Sequence, residues 1–484
     1  MRSTALKIAP SLAVGFILRL ISVTHGQVAL NETGQPPATW TVTRSDDRDG
    51  VCVPGDCSLR EAVSAANASP GDDAIAFASG IAMVTLTDEI IIINNAGALT
   101  INGPGANNLT IDGGAGTNRI FYIYQANVTV AGVTLTGGNG TGARYSGTGG
   151  AICEYRSFLT LDGVYVIGNS ATRNGGGVGF LGANYTDSRI VNSSFSGNTA
   201  GEGGGGFSSY SGYLTVLNTT ISGNTAQYWG GAFDNDSVAM LRNVTIINNT
   251  AREGGGIYVW SGHLNFGNTI LAGNTAPVNA PEIYFECDIS CASFTSAGAN
   301  LIGDSLGDST HTGSIAIAYL PTDIRDTDPL LAPLQNNGGG TPTRAPRPTS
   351  TVIDRGLNFL AVDPLTGDAL AFDQRGAGFA RIRDGNGDGT ATVDIGAFEF
   401  ALVSVSGRVT TPGGLGLSNA IVSMTDAFGV SRTATTSTFG FYSFSGVPVG
   451  YTYSISVTSR RYRFRPATIT PTTNLTDVDL VGLE

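Results

Sequence analysis

Two carboxylates and one imidazole form the only set of side chains in this sequence that suggests catalysis. Asp234 and Asp236 are separated by one residue, and His263 comes roughly one repeat unit later. A pair of carboxylates divides the acid and base roles when a glycosidic bond is cleaved, and histidine transfers protons near neutral pH. The set is therefore a weak candidate for a polysaccharide hydrolase or lyase.

Aromatic residues recur at fixed distances after clusters of glycine. Five residues beyond the second glycine of successive clusters stand Tyr155, Leu181, Tyr210, Asp236 and Trp260. Eight residues beyond it, in four of the repeats, stand Phe158, Tyr213, Ala239 and His263. If the repeats stack, members of each series lie ~4.8 Å apart. We predict that this strip binds polysaccharide through Tyr155, Tyr210, Tyr213, Asp236 and Trp260. The alternative is that its rings only shield the core.

A short acidic segment resembles the start of a calcium-binding loop. Asp384, Asn386 and Asp388 alternate with glycine, and oxygen atoms at alternate positions suit a hard cation. The bidentate glutamate expected at position 12 of such a loop is replaced by Ile395, and Asp394 comes one residue early. We expect no cofactor and interpret the segment as a plain turn. The alternative is a structural Ca²⁺ bound by Asp384, Asn386, Asp388 and Asp394.

The chain has five cysteines, four of which form two local pairs. In an exported protein, Cys52 with Cys57 and Cys287 with Cys291 predict disulfides. Cys153 is left over, and we interpret it as a small buried residue.

One phrase repeated five times predicts the scaffold that positions these residues. It consists of an apolar residue, two mostly small residues, Asn, one further residue and Ala. The copies are Val166–Ala171, Phe195–Ala200, Ile221–Ala226, Ile246–Ala251 and Leu271–Ala276. Their asparagines are spaced 29, 26, 25 and 25 residues apart, and a constant period of this size indicates stacked repeats. We predict eight or nine coils of short parallel strands, in which the repeated Asn forms a hydrogen-bonded ladder.

The stack needs a cover at its N-terminal end, because an open end exposes apolar side chains and unpaired backbone groups. Ser58 followed by Glu61 has the spacing of a capping box. Leu59, Ala62, Val63 and Ala66 then fall on one face of a helix. We predict an amphipathic helix that caps the coils.

The first residues and the charge balance indicate export and exclude some partners. Residues 1–26 have the pattern of a secretory signal peptide, with Arg2 and Lys7 before an apolar run. The alternative is an uncleaved membrane anchor, although Arg19 makes the apolar run short for a span. The chain carries a net charge of −12. We therefore expect no nucleic-acid partner, and the charge argues mildly against a strongly anionic polysaccharide. Nothing after residue 26 resembles a transmembrane segment, so we expect no membrane span in the mature chain.

Several segments resemble a known bacterial group. Cys57–Ala62 with Ala65–Asn67, and Asp394–Glu399 near the far end, are similar to the terminal signatures of exported, right-handed parallel β-helix proteins of the pectate-lyase-like fold. The central repeats are also similar to those of chlamydial polymorphic outer-membrane proteins. Residues 401–484 resemble a carboxypeptidase regulatory-like domain, a small prealbumin-type β-sandwich, which implies a passive or sugar-binding module.

These observations divide the chain into six segments and favour a non-catalytic protein. We assign 1–26 to a signal peptide, 27–50 to a linker, 51–80 to an N-terminal cap, 81–300 to the coils, 301–400 to irregular coils and a folded-back cap, and 401–484 to the sandwich. We expect an all-β, secreted or cell-surface protein that binds polysaccharide or another surface component through the β-helix face and the sandwich. A polysaccharide lyase or glycoside hydrolase, and a structural adhesin or spacer, are the alternatives. The polygalacturonase motifs and the clustered acidic ligands of pectate lyases are not found in the repeats.

Overall fold

The chain folds into a parallel β-helix followed by a β-sandwich, as the sequence predicts. The computed structural model describes residues 38–93, 97–114, 116, 118–182, 187–286, 293–305, 309–310, 317–426 and 429–483. The predicted signal peptide and the Cys287–Cys291 pair lie outside these residues. In the described part of the chain, no helix is long and apolar enough to cross a membrane.

One face of the β-helix, here called the site sheet, has nine strands and therefore confirms the predicted number of coils. All its strand pairs are parallel. Its strands are Ile90–Ile93, Phe121–Tyr124, Ile152–Tyr155, Val178–Leu181, Phe207–Ser209, Phe233–Asn235, Ile257–Val259, Ile283–Phe285 and Ser309–Thr310.

The other faces of the rod are two parallel ladders joined into one sheet of 18 strands. The first ladder comprises Ala38–Val42, Asp73–Phe77, Ala98–Asn102, Asn127–Ala131, Phe158–Asp162, Asp187–Val191, Tyr213–Ser222, Val238–Ile247, His263–Gly267 and Ser293–Gly298. The second comprises Met83–Thr85, Thr110–Asp112, Thr134–Thr136, Tyr165–Ile167, Ser194–Ser196, the C-terminal halves of Tyr213–Ser222 and Val238–Ile247, then Ile270–Ala272, Leu301–Ile302 and Ile324–Arg325. A small third sheet contains Ser170–Ala171, Thr199–Ala200 and Thr225–Ala226.

The repeated phrase builds a corner of the rod, and its asparagines form the predicted ladder. The side-chain Nδ2 of Asn198 donates to Oδ1 of Asn224 at 2.9 Å, and Nδ2 of Asn224 donates to Oδ1 of Asn249 at 3.0 Å. The residue before each ladder asparagine has a positive φ, which glycine adopts without strain. These residues are Gly168, Gly197, Gly223, Asn248 and Gly273, with φ between 59° and 71°.

The predicted cap and the first predicted disulfide are both present. The helix Leu59–Ala68 begins after Ser58, and the Ser58 and Glu61 side chains form a reciprocal capping box. Leu59, Ala62, Val63 and Ala66 are buried in the same core as the coils. Cys52 and Cys57 form a disulfide, and Cys153 is a buried free cysteine.

Beyond the last coil, a segment that contains one 3₁₀-helix, Asn358–Leu360, returns along the side of the rod. Gln374 connects to the second ladder, since its Nε2 donates to Ser194 Oγ at 2.8 Å and its Oε1 accepts from Thr220 Oγ1 at 2.6 Å. Asn107 of an early coil donates to the carbonyl of Gly339 at 2.9 Å. The returning chain therefore lies against the lateral face of the coils.

The C-terminal residues form two small sheets that share a core with the returning segment. One contains Leu402–Thr410, Phe441–Pro448 and Leu480–Val481, and the other contains Ser431–Thr435, Ile421–Asp426, Tyr453–Thr458 and Ala467–Ile469. Ala345, Phe398 and Phe400 of the returning segment pack into this core. The Tyr451 hydroxyl donates to the carbonyl of Pro346 at 2.7 Å.

Candidate functional site

A groove on the outside of the rod, here called the outer groove, collects several of the residues singled out in the sequence. Its volume is ≈ 410 Å³. It is lined by residues from three successive coils, namely Ser211, Gly212, Tyr213, Asp236, Ser237, Val238, Ser261, Gly262 and His263.

The groove lies where the turn of the middle coil is one residue shorter than the turns on either side. Phe207, Phe233 and Ile257 are in register at one end of this turn. Tyr213, Val238 and His263 are in register at the other end. The middle connection is thus one residue shorter than its two neighbours. We infer that its backbone is drawn inward and that the flanking turns form the walls of the groove.

This shorter turn corrects the second series of residues predicted from the sequence. Val238, and not Ala239, is the neighbour of Tyr213 and His263, whereas Ala239 is in register with Leu214 and Leu264 in the core. Counting from the glycine cluster gave the wrong residue because it assumed equal turns. Adjacent strands are about 4.8 Å apart, so Tyr213 and His263 are separated by about 10 Å across the groove.

Asp236 provides the carboxylate of the groove. Its Oδ1 accepts hydrogen bonds from the backbone N of Ser261 at 3.0 Å and from Ser261 Oγ at 3.4 Å. Partial burial raises the pKa of the Asp236 carboxyl above its ordinary value, against the opposing effect of these hydrogen bonds. Nδ1 of His263 is 2.5 Å from Ser293 Oγ, which fixes the orientation of the imidazole at the groove wall.

Asp234 lies beneath the surface and does not join Asp236 in the groove. Its side chain is only 3% exposed, and its Oδ2 accepts a hydrogen bond from the Tyr210 hydroxyl at 3.0 Å. Burial, followed by the nearby charges of Asp236 and Glu202, raises the pKa of Asp234 to about 8. The raised pKa favours the protonated form of this carboxyl group, which Tyr210 holds in place.

The first predicted series forms one column along the rod, but its side chains divide into separate groups. Asp236 follows Tyr210, and Trp260 follows Asp236, in consecutive coils. Trp260 is 51% exposed beside the groove, whereas the hydroxyl of Tyr210 is directed toward Asp234. Tyr155 lies further toward the N-terminal end of the column.

Tyr155 belongs to a second aromatic group that the sequence did not reveal as a unit. Its ring lies 5.9 Å from that of Tyr124 and 4.8 Å from that of Tyr145, centroid to centroid. Tyr145 is carried by a loop whose backbone is held by the buried side chain of Arg119, which donates to the carbonyl of Tyr145 at 2.8 Å and is ion-paired with Glu89. The aromatic residues therefore do not form one continuous strip.

The predicted calcium loop is closed by its own hydrogen bonds. Asp384 accepts from the backbone N of Gly387 at 2.7 Å and of Gly389 at 2.8 Å. Asp394 is fully buried, and its two oxygens accept from the backbone N of Asp354 and of Phe400. Among the described residues, no group of three or more His, Cys, Asp or Glu side chains is arranged to hold a metal ion.

No protein-family model matches this chain, and no match is found among curated proteins. The parallel β-helix is the part of the predicted resemblance that the structure supports. Its signatures, the export signal and the assignment of the C-terminal domain stay predictions.

Proposed function

We propose that this chain is an exported or cell-surface protein that binds polysaccharide in the outer groove without cleaving it. The observation that carries the proposal is the arrangement of Tyr213, Asp236 and His263 around one open groove. Tyr213 is 39% exposed, so its ring offers an apolar face to a sugar ring, while the flanking hydroxyl and carboxylate groups fix its orientation.

The outer groove suits a neutral chain better than an anionic one. Asp236 is the only carboxylate among the nine residues that line it, and the lining contains neither Arg nor Lys. The half-exposed Trp260 lies beside Ser261 at the rim and extends the apolar contact along the rod. A neutral polysaccharide can place its hydroxyl groups on Asp236 and the serines without burying an unpaired charge.

The burial of Asp234 favours binding over cleavage. A glycoside hydrolase usually needs two carboxyl groups that both reach the glycosidic bond. Asp234 is covered and held by Tyr210, which leaves one accessible carboxylate in the groove. A lyase or a hydrolase is the alternative, and the test must therefore detect any cleavage of the polysaccharide.

Affinity electrophoresis against a panel of neutral polysaccharides, with analysis of released sugar ends, tests the proposal. We expect retardation by at least one polysaccharide and no release of reducing or unsaturated ends. Tyr213→Ala and Trp260→Ala should each weaken binding about tenfold, by the typical cost of removing an aromatic anchor. Phe439→Ala is the control, because Phe439 is 70% exposed on the sandwich. Unchanged binding in both groove variants would refute the proposal, and a spacer or adhesin would show no binding at all.

A further inference from the structure

Charge is divided unequally between the two parts of the chain. Residues 401–484 contain six arginines and four acidic residues, whereas residues 1–400 contain 20 basic and 34 acidic residues. The sandwich is thus a basic module on an acidic rod, which the net charge of the whole chain conceals.

Half of the arginines of the sandwich lie in one short segment. Arg461, Arg463 and Arg465, here called the arginine row, alternate with Tyr462 and Phe464. The three arginines are exposed and the two aromatic residues are half-buried, with Phe464 packed against the core of the sandwich. In an extended chain, residues two apart are about 6.6 Å apart on the same side. Phe464 therefore anchors the segment, and an exposed arginine stands at every second residue around it.

The segment is also fixed through its backbone. The N–H of Leu483 donates to the carbonyl of Arg463 at 2.8 Å. Within the described residues, no carboxylate lies at ion-pair distance from Arg460 or from any member of the row. Among the described residues, the positive charges are thus held in place without an ion-pair partner.

An open groove of ≈ 660 Å³, the sandwich groove, begins where the row begins. Arg460 and Arg461 form one side of it, and polar side chains that include Ser418, Asn419 and Ser459 also line it. Hydroxyl and amide groups are suitable partners for sugar hydroxyls, and the planar guanidinium group pairs with carboxylate or sulfate through two parallel hydrogen bonds.

We propose that the arginine row and the sandwich groove bind an anionic polysaccharide. The charged groups of the polymer pair with the row, and its hydroxyl groups bond to Ser418, Asn419 and Ser459 in the groove. The side chains of Ser418, Asn419 and Ser459 offer hydrogen-bond partners for sugar hydroxyl groups, which a polyanion without hydroxyl groups cannot use. The site is separate from the outer groove and does not depend on the function proposed for it.

The test compares two triple variants of the full chain that change the net charge equally. Arg461→Gln, Arg463→Gln and Arg465→Gln remove the row. Arg173→Gln, Arg252→Gln and Arg355→Gln remove three exposed arginines outside the sandwich, two in the coils and one in the returning segment. Binding to polygalacturonate, dextran sulfate, double-stranded DNA and unsubstituted dextran is measured by titration calorimetry at low and high salt. Thermal unfolding checks that both variants are folded.

We expect the full chain to bind polygalacturonate or dextran sulfate more tightly than unsubstituted dextran, and we expect this binding to weaken at high salt because the charges are exposed. The row variant should lose at least tenfold in affinity, while the second triple variant should bind as the unmodified chain does. Equal losses in both variants would overturn the proposal, as would equally tight binding of double-stranded DNA. Self-association that the row variant abolishes, without polysaccharide binding, would instead assign the row to the acidic rod of a second copy.

Discussion

The hydroxyl group of Tyr210 donates a hydrogen bond to Oδ2 of Asp234 at 3.0 Å, and this contact withdraws both side chains from the outer groove. Removing the hydroxyl leaves a buried carboxyl oxygen without its partner. We predict that Tyr210→Phe lowers the free energy of unfolding by about 1–3 kcal/mol, the usual cost of an unsatisfied buried group. Urea unfolding measures this loss.

The matched control is Tyr213→Phe, which removes a hydroxyl from an exposed ring at the end of the same turn. It should leave the free energy of unfolding unchanged within about 0.5 kcal/mol. A Tyr210→Phe variant of normal stability that no longer binds polysaccharide would contradict the structural role assigned to this hydroxyl.

Stability should fall as the pH rises toward 8, because two buried carboxyl groups bind protons more tightly in the folded state. Burial raises the pKa of Asp234 and of Glu154 to about 8 each. In the unfolded chain these carboxyl groups release their protons near pH 4. Between about pH 4 and about pH 8 the folded state therefore binds more protons than the unfolded state, and its stability falls as the pH rises.

Asp234→Asn and Glu154→Gln should each flatten this dependence, which urea unfolding across the window measures. The exposed Asp187→Asn serves as the control and should leave the slope as it is. A slope that neither buried substitution changes would contradict the raised pKa of these two groups.

The asparagine ladder should contribute more to stability than any single exposed turn residue. Oδ1 of Asn224 accepts from both the backbone N and Nδ2 of Asn198, and its Nδ2 donates to Asn249. Asn224→Ala leaves several buried groups unpaired, so we predict a loss of roughly 3 kcal/mol or more in the free energy of unfolding.

Asn248, in the next copy of the repeated phrase, is an asparagine outside the ladder. It is exposed and has a φ of 59°. The other copies have glycine there, so Asn248→Gly should change the free energy of unfolding by less than about 1 kcal/mol. Equal losses for Asn224→Ala and Asn248→Gly would mean that the ladder adds nothing specific.

The cap, the ladder and the number of coils could be predicted because their signals are local or periodic. The Ser58–Glu61 capping box lies within four residues, and the ladder follows from one asparagine per coil. The outer groove could not be predicted in the same way, because it depends on one turn that is a residue short. Counting forward from glycine clusters therefore placed Ala239 where Val238 lies.

Long-range polar contacts were also beyond the reach of the sequence. Neither the ion pair of Arg119 with Glu89 nor the contact of Gln374 with Ser194 has a spacing that marks it, since each joins elements far apart in the chain. Tyr210 was grouped with the exposed rings by its position in the repeat. Its spacing carries no information about the hydrogen bond that turns it toward Asp234.

The most direct test of the account is to fill the outer groove by lengthening its short turn. Inserting one glycine between Asp236 and Ser237 gives the middle coil the same turn length as its neighbours. We predict that this variant unfolds cooperatively like the unmodified chain but is no longer retarded by the neutral polysaccharide that retards the latter in affinity electrophoresis.

An insertion beside Gly414, in an exposed turn of the sandwich, is the control and should leave retardation unchanged. Loss of retardation only when the groove is filled, with no sugar ends released by the unmodified chain, is the result that the account predicts. Full retardation of the filled variant, or cleavage of the polysaccharide, would contradict it.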